Sequence, residues 1–203
     1  MAKIAVDAVL LPSEAMMDKA IEANRELLKE SANKIVLDKE NCLPHISLAM
    51  GCIDEKDISE IEKILQAIAK QYHLLRLKAI TIHVGTNSVG EKVSVFQIEN
   101  NEVLQLLHEE VMQKLTPYFK YDVTVDMLLS PPKVEPSTLL WIRNYCQKAS
   151  FENFFPHITI GYGQITTLLS PIKFFASKLA LCHLGSNCTC RKVLISSELR
   201  SKE

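Results

Sequence analysis

Leu43-Pro44-His45-Ile46-Ser47-Leu48 is the stretch on which the interpretation of this sequence depends, and Phe155-Pro156-His157-Ile158-Thr159-Ile160 repeats its pattern. Each stretch reads apolar residue, proline, histidine, apolar residue, hydroxyl residue, apolar residue. Side chains alternate between the two faces of a strand, so the histidine and the hydroxyl of each stretch share one face and the branched residues share the other. We therefore predict two strands that each present an imidazole and a hydroxyl on a rigid support.

Length and composition limit the functions that a protein with these two strands can have. The chain has 203 residues and 47% hydrophobic content, enough to fill a substantial core. Lys and Arg together number 23 against 24 Asp and Glu, a formal net charge of −1. This balance argues against broad electrostatic binding to long nucleic acid or to an anionic membrane, although it is compatible with a local basic groove.

The same sequence indicates a cytoplasmic protein. No stretch approaches the roughly 20 consecutive apolar residues that a membrane-spanning helix needs. Asp7 also stands where a signal peptide would have its apolar centre. We expect no membrane partner, and the sequence indicates no obligate protein partner.

The six cysteines do not form the dense framework of a disulfide-rich secreted protein, so we expect free thiols. One cluster, Cys182-His183 followed by Cys188-Thr189-Cys190, is compatible with a metal site. Gly185-Ser186-Asn187 is a strong turn between two apolar runs, which favours a hairpin with buried cysteines over zinc because no second ligand pair has the usual spacing. A three-residue loop would place Leu184 opposite Cys188.

The chain alternates between strand-like and helix-like patterns. We predict a strand from Ile4 to Leu11, then a helix that Ser13 caps, then the first histidine strand, which Gly51 closes, and a helix that opens at Asp54 or Asp57. Later elements are listed together: a hairpin formed by 73–84 and 92–98, a helix around 103–115, a strand-leaning segment at 121–129, a helix around 139–146, the second histidine strand, and a closing hairpin over 179–199.

This order predicts an α+β fold with mainly antiparallel sheets and helices on the outside. The two histidine strands stand about half a chain apart, and each follows a helix and precedes further strand. The recurrence suggests two pseudo-symmetric lobes that face each other across a central cleft. We find no boundary at which to divide the chain and treat residues 1–203 as one domain of two intertwined lobes.

The motifs Pro44-His45-Ile46-Ser47-Leu48 and Pro156-His157-Ile158-Thr159-Ile160-Gly161 resemble the paired His-x-Ser/Thr motifs of the 2H phosphoesterase superfamily. That group includes the bacterial 2′-5′ RNA ligases and the 2′,3′-cyclic nucleotide phosphodiesterases. The resemblance covers nearly the whole chain by order of elements. It implies a bilobal α+β fold in which both motifs line the cleft, and a phosphodiesterase that acts on 2′,3′-cyclic or 2′-5′-linked ribonucleotide phosphates, as RNA ends or small nucleotides.

The chemistry of such a reaction explains the residue types. Opening a cyclic phosphodiester takes a proton from the attacking water and gives one to the departing ribose oxygen. Two imidazoles suit both tasks because their ordinary pKa of about 6.5 allows one to be neutral and the other charged. We therefore predict His45 and His157 as catalytic, with Ser47 and Thr159 donating hydrogen bonds to the phosphate oxygens. The scheme needs no metal and no other cofactor.

Three further residues are candidates with weaker signals. Phe155 lies two positions before its histidine and shares its face, so we predict that it stacks on a base, with core packing as the alternative. Tyr162 ends the second strand near the expected ligand, and we include it among the substrate-binding residues. Asp7 stands alone in an apolar strand and is a candidate to face the cleft. His73, His83, His108 and His183 are expected to be structural.

Other functions remain open at this point. The same groups could run the reverse reaction as a 2′-5′ RNA ligase, joining a 5′-hydroxyl to a cyclic phosphate. The cleft could also bind nucleotides or RNA ends without turnover, although the intact histidine and hydroxyl set argues against this. A metal-dependent hydrolase is disfavoured because neither motif carries a carboxylate.

Overall fold

A computed structural model describes residues 2–30, 34–87, 89–129, 134–165 and 170–201, and within these ranges the chain forms seven strands and four α-helices. The strands are β1 (Lys3–Pro12), β2 (Ile46–Asp54), β3 (Leu75–Thr86), β4 (Lys92–Ile98), β5 (His157–Tyr162), β6 (Ile172–Leu184) and β7 (Cys190–Glu198). The helices are α1 (Glu14–Glu30), α2 (Ile58–Ala69), α3 (Glu102–Leu115) and α4 (Pro136–Lys148). None of these helices is both long and apolar enough to cross a bilayer.

The strands form one sheet in the order β2-β1-β6-β3-β4-β5, and every strand pairing in it is antiparallel. β6 is the longest strand and joins the two halves. One of its edges pairs with β1, and the other pairs with β3 near the start of β6 and with β7 near its end. The α+β class with antiparallel pairing is confirmed, and the strands of both halves belong to one continuous sheet.

The apolar periodicity of the helices explains how they cover the sheet. In α2, Ile61, Leu65 and Ile68 follow one another at three- and four-residue spacing and are almost completely buried. β1 is buried along nearly its whole length and carries one buried charged residue, Asp7. A strand that is buried on both faces reads as a continuous apolar run, which is the pattern of this segment.

His108 on α3 connects the two motif-bearing parts of the fold. Its Nδ1–H donates to the carbonyl oxygen of Leu48 in β2 at 2.7 Å, and its Nε2 accepts the backbone N–H of Phe151 at 2.7 Å. The ring also stacks on Phe154 with centroids 3.9 Å apart. The expectation that His108 is structural agrees with this environment, because both of its nitrogens are occupied.

The segment 121–129 does not form the expected strand. It follows one isolated bridge, between Lys120 and Cys52 of β2, and then turns through a short 3-10 helix at Val125–Met127. Val123 is nevertheless completely buried. Alternation in sequence reports which side chains point inward from an extended chain, and it does not by itself supply a neighbouring strand for the backbone.

The closing hairpin is confirmed, but its expected register is wrong. Leu184 pairs with Cys190 instead of Cys188, because the loop contains five residues instead of three. Asn187 and Cys188 adopt positive φ angles of 59° and 52° inside this loop. The longer loop therefore includes Cys188 and Thr189, two residues that a three-residue loop would have left in the strand.

Candidate active site

The two histidine motifs lie on the two outermost strands of the sheet order, yet the structure brings them to one cleft. His45 immediately precedes β2, and His157 is the first residue of β5. Asn24 of α1 donates its side-chain amide to the carbonyl oxygens of Ile35 at 3.0 Å and Ile160 at 2.8 Å. Helix α1 thereby ties β5 to the segment before β2, and His45 and Thr159 line the same small cleft.

Both catalytic candidates make the same type of hydrogen bond, from the ring to a backbone carbonyl oxygen. The Nδ1 atom of His45 lies 2.7 Å from the carbonyl oxygen of Leu43, and that of His157 lies 2.7 Å from the carbonyl oxygen of Phe155. A carbonyl can only accept, so Nδ1 carries the hydrogen in both rings. Nε2 of each ring is therefore the atom left to exchange a proton, and the extended backbone before each histidine supplies the acceptor two residues away.

The two hydroxyls have different surroundings. Ser47 donates its hydroxyl to Oδ2 of Asp7 at 2.6 Å. Thr159 lies on the cleft wall beside His45. Both are half-buried. The same Asp7 oxygen is 3.8 Å from Nε2 of His45, so a carboxyl group from β1 touches the first motif directly.

Asp7 is an unusual carboxyl group because it is fully buried among apolar strands. Burial raises the pKa of Asp7 well above its ordinary value, against the opposing effects of the Ser47 hydroxyl and the nearby Ala49 amide. Within the described residues no group makes a well-formed hydrogen bond to its other oxygen, Oδ1. The neutral acid is therefore the favoured form, and in that form its O–H can donate to Ser47 and free the serine hydrogen for another acceptor.

Burial also controls the two histidines. It lowers the pKa of His45 to about 4, helped by the nearby charge of His157 and opposed by the hydrogen bond to Leu43. The pKa of His157 is lowered as well, by burial and then by the neighbouring His83. Both rings are half-buried, and His45 exposes only 13% of its side chain.

Phe155 is an exposed aromatic residue next to the second histidine. It is 41% exposed, and its ring centroid lies 5.6 Å from that of His157. His83 on β3 also contacts Phe155 edge-on, with centroids 5.5 Å apart. His83 pairs with Val95, which in turn pairs with Thr159, so β3 brings it to the rim of the site. Its sequence context carries no motif that distinguishes it from a structural histidine.

Tyr162 lies at the far end of the second motif strand. Its hydroxyl donates to Oδ1 of Asn187 at 2.8 Å, and the Lys34 ammonium group lies 5.3 Å from the centre of its ring. Lys34 is itself paired with Glu91 and Glu135. The phenol therefore fixes the loop between β6 and β7, whose residues 187–189 line the cleft next to His45. Sequence reasoning missed the part of this loop in the site, because a local pattern does not indicate which loop packs against the first motif.

Comparison with known proteins gives structural relatives of low sequence identity. No protein-family model matches the chain. The Thermus thermophilus protein TT0787 has the same fold with a TM-score of 0.62 and 15% identity, and the match covers 98% of this chain and 100% of that one. Escherichia coli LigT in apo form gives a TM-score of 0.55 at 14% identity, covering 98% and 99% of the two chains. LigT complexed with phosphate gives 0.50 at 11% identity with the same coverage.

These matches span nearly the whole chain, so the fold implied by the resemblance to 2H phosphoesterases is confirmed. At identities of 11–15% the likeness shows the fold and not the activity. Function must therefore be argued from the residues in the cleft.

Proposed function

We propose that this chain is a metal-independent phosphodiesterase that acts on 2′,3′-cyclic or 2′-5′-linked ribonucleotide phosphates, with His45 and His157 as its proton-transfer groups. The observation that carries the proposal is the matched tethering of the two imidazoles through Nδ1. It leaves Nε2 of both rings available in one region of the molecule, where their charges influence each other. Two such groups match a reaction that removes one proton and delivers another.

We assign the general base to His45 and the general acid to His157. Hydrolysis of a cyclic phosphate requires a neutral imidazole for the attacking water and a protonated one for the departing oxygen. Burial makes His45 resist protonation, with its pKa lowered to about 4. His157 lies beside the exposed Phe155 ring, where solvent can stabilise its charged form, so we give it the shared proton. A bound phosphate anion favours that protonated form.

Ser47 and Thr159 would donate hydrogen bonds to the phosphate oxygens as negative charge builds on them. Protonated Asp7 has a positioning role in this scheme, since its O–H to Ser47 would leave the serine hydrogen free for the ester. The phosphate complex of LigT, a protein with this fold, supports an anionic phosphate group as ligand. A nucleotide is the proposed substrate class because exposed Phe155 offers a base a stacking surface beside His157.

Turnover of 2′,3′-cyclic mononucleotides in excess EDTA tests the proposal. We expect His45→Ala and His157→Ala each to lower the rate by about 10²- to 10⁴-fold. His73→Ala is the matched control and should retain the wild-type rate. Unchanged turnover in either motif variant, or loss of turnover with EDTA alone, would overturn the proposal.

A substrate with an activated leaving group tests the assignment of acid and base. A nucleotide p-nitrophenyl phosphodiester releases a nitrophenolate that needs little help from a general acid. We expect His157→Ala to recover much of its lost rate on this ester relative to a natural leaving group, whereas His45→Ala should stay slow on both. The opposite pattern would exchange the two roles.

A further inference from the structure

A sulfur atom completes a mixed group of potential metal ligands beside the first motif. Asp7, His45 and Cys190 come from β1, the residue before β2 and the start of β7, and their ligand atoms all lie within 4.8 Å of one another. Nε2 of His45 is 3.8 Å from Oδ2 of Asp7. The backbone N–H of Leu43 donates to the carbonyl oxygen of Cys190 at 3.1 Å, which holds the strand end against the histidine segment.

A second thiol adjoins the same group. Cys182 on β6 pairs directly with Asp7 across the β1–β6 ladder, so the two side chains point to the same face of the sheet. Cys182 and Cys190 belong to the same buried cluster of side chains. All of these cysteines are free, and Cys182 and Cys190 are completely buried. The group therefore offers one oxygen, one nitrogen and one sulfur ligand, with a second thiol in the same buried cluster.

The charge of this group also suits a dication. Asp7 is fully buried with its Oδ1 atom unpaired among the described residues, which is a costly arrangement for a polar atom. A carboxylate and one thiolate would together neutralise a divalent ion, and neutral His45 would add a ligand without adding charge. Buried carboxyl groups are stabilised when they coordinate a metal, and thiolate with imidazole favours zinc over magnesium or calcium.

We propose that Asp7, His45 and Cys190 form a three-ligand Zn²⁺ site whose occupation inhibits the enzyme. Zinc would bind Nε2 of His45, the atom that the proposed function uses for proton transfer, so zinc and catalysis exclude each other. The inhibitory part of this inference rests on the proposed function, whereas zinc binding itself does not. Binding would release the Asp7 carboxyl proton and the Cys190 thiol proton to solvent and form one zinc–oxygen, one zinc–nitrogen and one zinc–sulfur bond, with no change of oxidation state.

The spacing requires only small movements. Zinc bonds of about 2.0–2.1 Å to nitrogen and oxygen place two tetrahedral ligands about 3.3 Å apart. The 3.8 Å between His45 and Asp7 is close to that value. Sequence spacing did not reveal the site, because its ligands come from three separate segments and only Cys190 belongs to the hairpin that first suggested a metal.

Direct binding measurements test the site without relying on activity. The reduced, chelator-treated protein is titrated with Zn²⁺ in competition with a chromophoric zinc indicator, and separately with Co²⁺ to observe a thiolate-to-cobalt charge-transfer band. We expect one equivalent to bind, a charge-transfer band in the wild type, and affinity at least about tenfold weaker in Cys190→Ser and Asp7→Asn. Cys146→Ser is the matched control and should bind like the wild type.

Failure of the wild type to compete with the indicator, absence of the cobalt band, or equal affinity in all variants would overturn the site. Circular dichroism establishes whether each variant is folded. If Cys190→Ser is not folded, the presence or absence of the cobalt band in the wild type tests the site.

Inhibition is then measured on a cyclic mononucleotide, with each variant compared to its own zinc-free rate. We expect zinc to inhibit the wild type reversibly and Cys190→Ser to resist it, whereas zinc that binds without slowing the wild type would overturn the inhibitory role. A protein with no turnover on any phosphodiester would refute the proposed function and leave the indicator result standing.

Discussion

Asp7 is the residue whose energetics are most unusual. Its carboxyl group is completely buried, and its pKa is raised by loss of solvent. A raised folded pKa means that the carboxyl contributes stability at low pH and that this contribution is lost as the pH rises through the folded value. At neutral pH the residue therefore costs the fold stability, in a position where it contacts both Ser47 and His45. Such a cost is typical of groups retained for function.

Replacing this carboxyl by an amide should stabilise the protein. Asp7→Asn keeps the shape of the side chain, and its N–H can donate to Ser47 without a titratable group in the core. We expect the free energy of unfolding at pH 7 to rise by about 1–2 kcal/mol, measured by urea denaturation. Glu22→Gln, at an exposed carboxylate, is the control and should change little. A less stable Asp7→Asn protein would show that the ionised carboxylate is preferred.

Phe155 permits a prediction about substrate affinity. Its ring is exposed and held at a defined angle by His157 and His83, so a nucleobase can stack on it without first ordering the side chain. We expect Phe155→Ala to weaken binding of a cyclic nucleotide by about 1–3 kcal/mol, seen as a higher KM. Phe175→Ala, at a second exposed aromatic residue on β6, is the control. Equal KM values for Phe155→Ala and the wild type would show that Phe155 does not bind the base and has a structural role.

At the scale of elements, β2 depends on close packing against a neighbouring segment that the sequence pattern did not predict. Gly51 was expected to close this strand, but β2 continues to Asp54. A Cβ atom at Gly51 would lie 2.8 Å from Cγ of the buried Phe119 side chain. The glycine therefore serves packing within the strand, where it lets the chain after α3 cross β2 closely.

Filling this contact should destabilise the strand that follows the first motif. We expect Gly51→Ala to lower the free energy of unfolding by about 1–3 kcal/mol, because Phe119 is packed too tightly to move freely. Gly85→Ala in β3 is the matched control, since its Cβ would make an ordinary contact of 3.7 Å with His83. Thermal unfolding of both variants measures the difference, and equal shifts would contradict a specific clash.

Local patterns predicted most of the elements, and their failures have physical reasons. The helices α2 and α3 were found because their apolar residues recur at helical spacing, and the hairpin of β3 and β4 was found because turn residues separate two alternating runs. The segment around Val123 alternates in the same way but has no continuous partner strand. Pairing depends on distant parts of the chain, and a local pattern carries no information about it.

The same limit applies to the site. His45 and His157 could be singled out because their motif occurs twice, whereas His83 and Asn187 reach the cleft only through the pairing of β3 and the shape of the loop after β6. Asp7 was visible as a lone charge in an apolar strand, but its contact with Ser47 required the register of β1 with β2. A motif identifies residues for chemistry, and tertiary structure selects their neighbours.

At the scale of the whole molecule, buried histidines make stability depend on pH. The folded pKa of His45 and that of His108 are lowered to about 4, whereas the unfolded value is about 6.5. Their stabilising contribution is complete above the unfolded value and is lost as the pH falls from about 6.5 towards 4. Protonated His108 would also lose the hydrogen bond that it accepts from Phe151.

We therefore expect the free energy of unfolding to decrease between about pH 6.5 and about pH 4.5, measured by urea denaturation at each pH. His108→Gln should show a shallower dependence, because one buried imidazole no longer titrates. Asp7 acts in the opposite direction, so Asp7→Asn should steepen the dependence. A free energy that does not change over this range would contradict the neutral state of the buried histidines.

The pH dependence of kcat/KM on a 2′,3′-cyclic mononucleotide, measured in excess EDTA, tests the two-imidazole mechanism most directly. This quantity reports the ionisation of the free protein, in which the pKa values of both His45 and His157 are lowered. We predict a bell-shaped profile with its maximum below about pH 6.5, the ordinary histidine value, whose acid limb reflects the base His45 and whose basic limb reflects the acid His157. A profile that rises steadily to alkaline pH, or activity that EDTA abolishes, would contradict it.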